Sequence, residues 1–286
     1  MSTPNATPAI RLLAVDLDGT TLDHEGQISP RVLAAVRAAT ERGVWVTIAT
    51  GRNLPSSRPF AERLGINAPL ICQQGGLVYD LTQGKVLRHV TLPHTLSCEL
   101  LDLEREHPEW KAVLYHDSRI YITQADLLDD MQPLIGYAPT VVADLCAVLD
   151  AQDADKVLFT VQPEDAPRAL HMLRERVGAR ATVVQSHARF VEVIPLEADK
   201  GSALRWLAQY LGVPREAVMA IGDQGNDDTM VAWAGVGVAM GNASPTTKAL
   251  ADWIAPPIDQ DGAAIAIERF VLNVHAEARE WLGEQN

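Results

Sequence analysis

Apolar positions fall along this chain in two styles, and the change from one to the other divides it. Near the start, Leu12-Leu13-Ala14-Val15 is a short unbroken apolar run, as in a strand buried on both faces. A helical period follows. Ser29 can cap, Pro30 suits the first turn, Leu33, Val36 and Ala39 share a face, and Gly43 stops it. Val44–Ile48 reads as a second buried strand, 55–64 as a helix and Leu70-Ile71-Cys72 as a third strand. This β-α-β-α-β order with short connections predicts one parallel sheet with helices on both faces.

The middle alternates with period two instead. Leu77–Tyr79 and Lys85–Leu92 predict a hairpin, Thr95–His107 a helix, and Ala112–Tyr115 with Arg119–Thr123 a second hairpin. Segments 126–134 and Ala166–Val177 read as helices; Val157–Val161, Thr182–Gln185 and Phe190–Ile194 read as strands. Such a mixture is an α+β lobe. The first style then returns, with helices at Gly201–Leu211, Asp227–Trp233, Thr246–Leu250 and from Ala263, and strands at Val218–Ile221, Val236–Val238 and Trp253–Ile254. The expected fold is α/β: a doubly wound, Rossmann-like parallel-sheet core in two parts (1–83 and 189–286), with an inserted α+β lobe (84–188).

In such a sheet, ligands bind beyond the carboxyl ends of the strands. Four polar clusters sit at those ends or at a helix start: Asp16–Thr20, Thr50-Gly51-Arg52, Lys200-Gly201, and Gly222–Asp227. Singly, each has a bland explanation as a turn or a solvated helix start. Jointly they supply what phosphoryl transfer needs. Asp16 can attack phosphorus, and Asp18 can protonate the leaving oxygen and later activate water. Asp16 and Asp223 suit Mg²⁺, a cation that prefers oxygen ligands and lets an anionic nucleophile approach a phosphate. Thr50 and Lys200 can hold the oxygens on which charge spreads in the transition state. Arg52 reads as either a substrate contact or the partner of a carboxylate at the sheet end.

In this order the clusters resemble the motifs of the haloacid dehalogenase-like hydrolase superfamily. Asp16-Leu17-Asp18-Gly19-Thr20 is similar to its D-x-D-G-T, Thr50 and Lys200 to its second and third motifs, and Gly222–Asp227 to its G-D-x-x-N-D. The insertion lies between the second and third motifs, as in the type IIB, Cof-like phosphatases, and Ala239–Ala243 and Asp261-Gly262 also match that group. The resemblance implies Asp16 as nucleophile and Asp18 as acid and base. It implies a metal held by Asp16, the Asp18 carbonyl and Asp223, with Asp227 and Asn226 in support. Gly51, Arg52, Lys200 and Asn226 join Thr50 as phosphate or substrate contacts. Three positions depart from the pattern: Thr21 replaces a Leu, Gln74 an Asn, and Ile258 an Asn.

Charge and cysteine usage narrow the rest. A formal net charge of −13 repels nucleic acid and anionic membranes, so an anionic substrate must be held by local cations and amides. Cys72, Cys98 and Cys146 share no C-x-x-C spacing. They argue for a reduced, cytoplasmic setting and against a disulfide or zinc knuckle. The histidines show no H-x-x-x-H pair, and residues 1–10 read as a short lead without a secretory pattern. The expected partner is a small phosphorylated metabolite, with neither nucleic acid nor membrane. A phosphomutase of the phosphomannomutase type and a non-catalytic phosphometabolite-binding protein are the alternatives.

Overall fold

Strand β1 (Leu12–Val15) has no exposed surface at any position, so its two faces must be covered and its two edges paired. In the computed structural model, which describes residues 9–128 and 137–274, both demands are met. β2 (Trp45–Ile48) lies parallel on one edge and β12 (Val218–Gly222) on the other. β13 (Val236–Ala239) and β14 (Trp253–Ile254) extend the sheet to the order β14-β13-β12-β1-β2, parallel throughout. The crossover helix α1 (Pro30–Glu41) starts as its sequence asks: the Ser29 hydroxyl accepts from the Val32 amide at 3.1 Å. Val32, Ala35, Val36 and Ala39 form its buried face. Helices α7 (Lys200–Tyr210), α8 (Asp228–Trp233), α9 (Pro245–Leu250) and α10 (Gly262–Phe270) complete the α/β pattern.

The third strand departs from expectation. β3 (Leu70–Cys72) joins a separate three-stranded sheet with β4 (Leu77–Asp80) and β5 (Lys85–His89), not the parallel sheet. Ahead of it, Asn67 Oδ1 accepts from the Val46 amide at 2.7 Å and Asn67 Nδ2 donates to the Val44 carbonyl at 3.0 Å, so a side chain fills two backbone positions beside β2.

Antiparallel pairing dominates the inserted part, ordered β10-β11-β9-β6-β7-β8. Its strands are β6 (Lys111–His116), β7 (Arg119–Ile122), β8 (Thr140–Val141), β9 (Lys156–Thr160), β10 (Thr182–His187) and β11 (Phe190–Ile194). Only β7 and β8 run parallel. One face packs Leu114, Val157, Phe159, Val191 and Val193 against helices α3 (His94–Leu101) and α6 (Ala166–Val177). The other carries Val113, Tyr115, Ile120, Ile122 and Leu158. The expected helix Thr95–His107 is two, α3 and α4 (Leu103–Glu106), which meet at Asp102, whose amide still donates to the Cys98 carbonyl at 3.1 Å. β8 and helix α5 (Leu145–Val148), which Asp144 caps, carry too few residues for a readable period. The helix expected over 126–134 lies largely outside the described residues.

By contacts the chain forms two compact units. One contains the described residues up to Ala49, Ala61–Leu70 and those from Leu204 on; the other contains Thr50–Phe60 and Ile71–Ala203.

Candidate active site

In the first unit, the end of β1 sets the geometry. The Asp16 amide continues the ladder to the Ile221 carbonyl at 3.0 Å. The chain then coils around one acceptor, with the Leu17 carbonyl receiving the amides of Thr20, Thr21 and Leu22 at 3.3, 2.9 and 2.7 Å. This tight turn requires Gly19 at φ +84°, and a Cβ there would fall 2.4 Å from Asp223 Oδ2. The Thr20 hydroxyl donates to Asp223 Oδ1 at 3.0 Å. Thr21, one of the three departures, is buried and donates to the Asp16 carbonyl at 2.8 Å, so its hydroxyl is satisfied where an apolar residue is usual.

The end of β12 answers this turn. Asp227 Oδ2 accepts from the amides of Asp223 and Gln224 at 2.9 and 3.1 Å, folding the G-D-x-x-N-D run back on itself. Gly222 is required there, since a Cβ would meet Asp227 Cβ at 2.4 Å. The result is a cluster in which Asp16, Asp223 and Asp227 each offer a carboxylate oxygen, all within 4.8 Å of one another, and all three residues are buried. Buried like charges at that spacing are unfavourable without a compensating cation. An all-oxygen anionic donor set fits a hard divalent ion. Asp18 is exposed, outside the acidic cluster, and Asn226 is half-buried.

Asn242, given no role by sequence reasoning beyond its place in the Ala239–Ala243 stretch, braces this loop. Its Nδ2 donates to the Gly19 carbonyl at 2.8 Å, and its Oδ1 accepts from the Ile258 amide at 3.0 Å. The Ile258 contact uses backbone alone, so a different side chain at 258 leaves it intact. The signal in the sequence was the resemblance of Ala239–Ala243 to the family's stretch after its fourth motif.

Thr50, Gly51, Arg52 and Lys200 belong to the second unit. Buried Thr50 donates its amide to the Ile71 carbonyl at 2.9 Å, and its carbonyl accepts from the Gln74 amide at 3.0 Å. Its hydroxyl accepts from the Arg52 amide at 3.2 Å. Gly51 is held closely: a Cβ would lie 2.4 Å from Gln74 Nε2, and its carbonyl accepts from Lys156 Nζ at 3.1 Å. The Arg52 guanidinium lies over the Phe60 ring, 5.1 Å from its centroid. Gln73 and Gln74 both adopt left-handed backbone, at φ +53° and +58°. That conformation costs a non-glycine residue ~1–2 kcal/mol. Asp155 holds the first of them, accepting from Gln73 Nε2 at 2.8 Å, from His89 at 2.8 Å and from the Ser118 amide at 3.2 Å. Lys200 opens α7 with no exposed surface. In the inserted lobe, Lys156 is buried and paired with Glu192, Tyr121 packs against the helix-covered face, and Arg119 is exposed.

The cysteine expectation is corrected here. Cys98 on α3 and Cys146 on α5 form a disulfide, with Cα atoms 5.2 Å apart. Pairing across 48 positions, one partner lying on an unpredicted helix, leaves no mark in spacing. Cys72 alone is free, and burial pushes its thiol up to about 12.

These features coincide with a known family. The pattern of haloacid dehalogenase-like hydrolases matches residues 13–267, and the chain belongs to that family. It is 33% identical over 243 residues to an HMP-PP phosphatase of Serratia proteamaculans, covering 84% of this chain and 87% of that one. It is 32% identical over 276 residues to the 5-amino-6-(5-phospho-D-ribitylamino)uracil phosphatase YcsE of Bacillus subtilis, covering 95% and 100%. Among solved structures, a haloacid dehalogenase-like hydrolase from Bacteroides thetaiotaomicron superposes with a TM-score of 0.82 at 28% identity, over 91% of this chain and 99% of that one. The protein is therefore an enzyme of this hydrolase family, with the family's α/β core and inserted α+β lobe. Among the described residues no helix is long and apolar enough to cross a membrane.

Proposed function

We propose that this enzyme is a Mg²⁺-dependent phosphatase that hydrolyses a small phosphorylated metabolite through an aspartyl-phosphate on Asp16. The observation that carries the reading is the convergence of buried Asp16, Asp223 and Asp227 within 4.8 Å, on the strand ends where the family's first and last motifs fall. Mg²⁺ would be held by Asp16, Asp223 and the Asp18 carbonyl, with Asp227 alongside. When bound it would neutralise the cluster and offset charge on the phosphate.

The chain's own residues carry the steps. An Asp16 carboxylate oxygen attacks phosphorus, forming the Asp16–phosphate bond as the bond to the leaving oxygen breaks. Asp18 gives that oxygen its proton, an exchange served by its exposed position. Thr50, Lys200 and the loop amides at Gly51 hold the equatorial oxygens, with Arg52 and Asn226 beside them. Asp18, now a base, takes a proton from water, which cleaves the acyl phosphate and restores Asp16. Residues 84–188 act as the cap that excludes bulk water and selects the leaving group.

Sugar phosphates, nucleotides and phosphorylated cofactors are the candidate substrates; the two named relatives are phosphatases of HMP-PP and of 5-amino-6-(5-phospho-D-ribitylamino)uracil. The reading places the enzyme in the cytoplasm.

Phosphate release from a panel of such esters, with Mg²⁺, with EDTA and with Asp16→Asn, tests the proposal. Release that needs both the metal and Asp16 is expected. Release that persists with EDTA sinks the metal role, and isomerisation of a sugar phosphate without release would make the enzyme a mutase.

A further inference from the structure

Among the described residues, one group of side chains besides the acidic cluster has the donors and spacing to hold a metal. His94, Cys98 and Cys146 each present a ligand atom, all within 4.8 Å of one another, and all three residues are half-buried. His94 and Cys98 stand four positions apart on α3, on one helical face, with Cys98 Sγ 3.6 Å from His94 Nε2. Cys146 comes from α5 and is bonded to Cys98.

We propose that this is a two-state thiol site: a disulfide when oxidised, and a His-Cys-Cys site for one Zn²⁺ ion when reduced. Nitrogen and thiolate ligands are the set that borderline-soft Zn²⁺ prefers over Mg²⁺, so the two clusters of this chain would sort the two metals. Zn–S and Zn–N bonds of ~2.3 and ~2.0 Å require the sulfurs to separate, which side-chain rotation supplies once the S–S bond opens. The backbone need not move, because other groups fix both helix starts. Asp153 Oδ1 accepts from the His94 amide at 2.9 Å, and Asp144 Oδ1 accepts from the Cys146 amide at 2.9 Å. The ligand positions are therefore pinned independently of the disulfide, and partial exposure gives reductant and metal a way in.

The chemistry balances with an external thiol couple. A dithiol delivers two electrons and two protons to the Cys98–Cys146 bond, giving two protein thiols and the dithiol's own disulfide. Zn²⁺ then displaces the two thiol protons. In reverse, a small disulfide takes two electrons from the bound thiolates, the protein S–S bond reforms, and the ion is released. The three protein ligands leave a fourth, open position for water or a thiol.

Co²⁺ is the probe, because thiolate ligation gives a near-ultraviolet charge-transfer band that carboxylates do not. Native protein treated with a phosphine reductant should gain two reactive thiols, Cys72 staying silent in the core. It should then develop the band at one equivalent of Co²⁺ and lose it to Zn²⁺. The disulfide form and Cys146→Ser, each checked for fold by circular dichroism, should show no band. His94→Ala should keep the thiols but weaken Co²⁺ at least ~10-fold. Three results would each overturn the proposal: no gain of reactive thiols, reduced protein without the band, or a band that survives Cys146→Ser. An unchanged affinity in His94→Ala would remove His94 from the site.

Discussion

Asp16, Asp223 and Asp227 bury three like charges within 4.8 Å of one another, whereas Lys156 and Glu192 bury two opposite ones in direct contact. Both groups are nearly inaccessible to water. They differ in the sign of the charges brought together. The Lys156 ammonium has the Glu192 carboxylate, the Gly51 carbonyl and the face of Tyr115, whose ring centroid is 4.3 Å away. Glu192 also accepts from the Ser186 hydroxyl. Each charge is answered within the protein, so this pair holds structure. In the acidic cluster, Asp223 accepts from the Thr20 hydroxyl and the Gln224 side-chain amide, Asp227 accepts from two backbone amides, and three carboxylates of one sign still face one another. The lesson is that buried like charges brought together point to function, whereas a buried opposite pair points to structure.

The comparison breaks most clearly at Asp16. Asp16→Asn removes a nucleophile, so phosphate release should fall by a factor on the order of 10⁴ or more, while the thermal midpoint holds or rises as repulsion in the cluster is relieved. Activity within tenfold of the parent enzyme would end the nucleophile assignment.

At the ion pair the prediction inverts: stability changes most. Glu192→Leu strands a buried ammonium and should cost ~3–5 kcal/mol in denaturant titration. Lys156→Met added to it should recover most of that loss, because two apolar side chains need no partner. If the double variant is no better than the single one, the pair is stabilised by more than mutual neutralisation, and the Gly51 contact becomes the prime suspect.

Metal addition sharpens the contrast further. Mg²⁺ at 100 times its dissociation constant should stabilise the parent by ~2.7 kcal/mol. Asp223→Asn should abolish most of that increment. An undiminished Mg²⁺ response in the variant would show that the ion binds elsewhere.

How far these features were readable from sequence follows the same division. The acidic cluster was legible because each carboxylate follows a buried strand, and strand ends in a parallel sheet converge. The first strand, the first crossover helix and its cap were legible through period and Ser29. Other features depend on partners far apart in sequence. β3 pairs in a sheet with β4 and β5, and nothing in Leu70-Ile71-Cys72 reveals it. Lys156 could not be oriented from pattern, since its partner Glu192 lies 36 residues away across a register set by β9 and β11. Asp155 is equally cryptic, as it meets Gln73 from 82 positions away.

That last contact supplies the smallest predicted effect. Its hydrogen bond to Asp155 raises the pKa of His89 above 6.5, against the lowering effect of partial burial. Burial alone would raise Asp155, but hydrogen bonds from His89 and Gln73 outweigh it and hold the carboxyl below 3.8. For His89, whose folded value exceeds its unfolded one, the stabilisation is complete below about pH 6.5 and is lost as pH rises through the raised folded value. For Asp155 the sign is opposite: its contribution is present above about pH 3.8 and is lost as pH falls through the depressed value. The pair therefore stabilises most between those limits. His89→Gln keeps a donor for Asp155 but cannot titrate, so it should flatten the decline in stability between pH 6 and 8. With the His89 side chain 39% exposed, solvent screening should hold the difference below ~1 kcal/mol. Denaturant midpoints at pH 5.5, 7 and 8.5 decide it. Parallel pH profiles for parent and variant would mean that the His89 proton does not contribute to holding Gln73 in its left-handed turn, and that Asp155 does so through the amide and Gln73 alone.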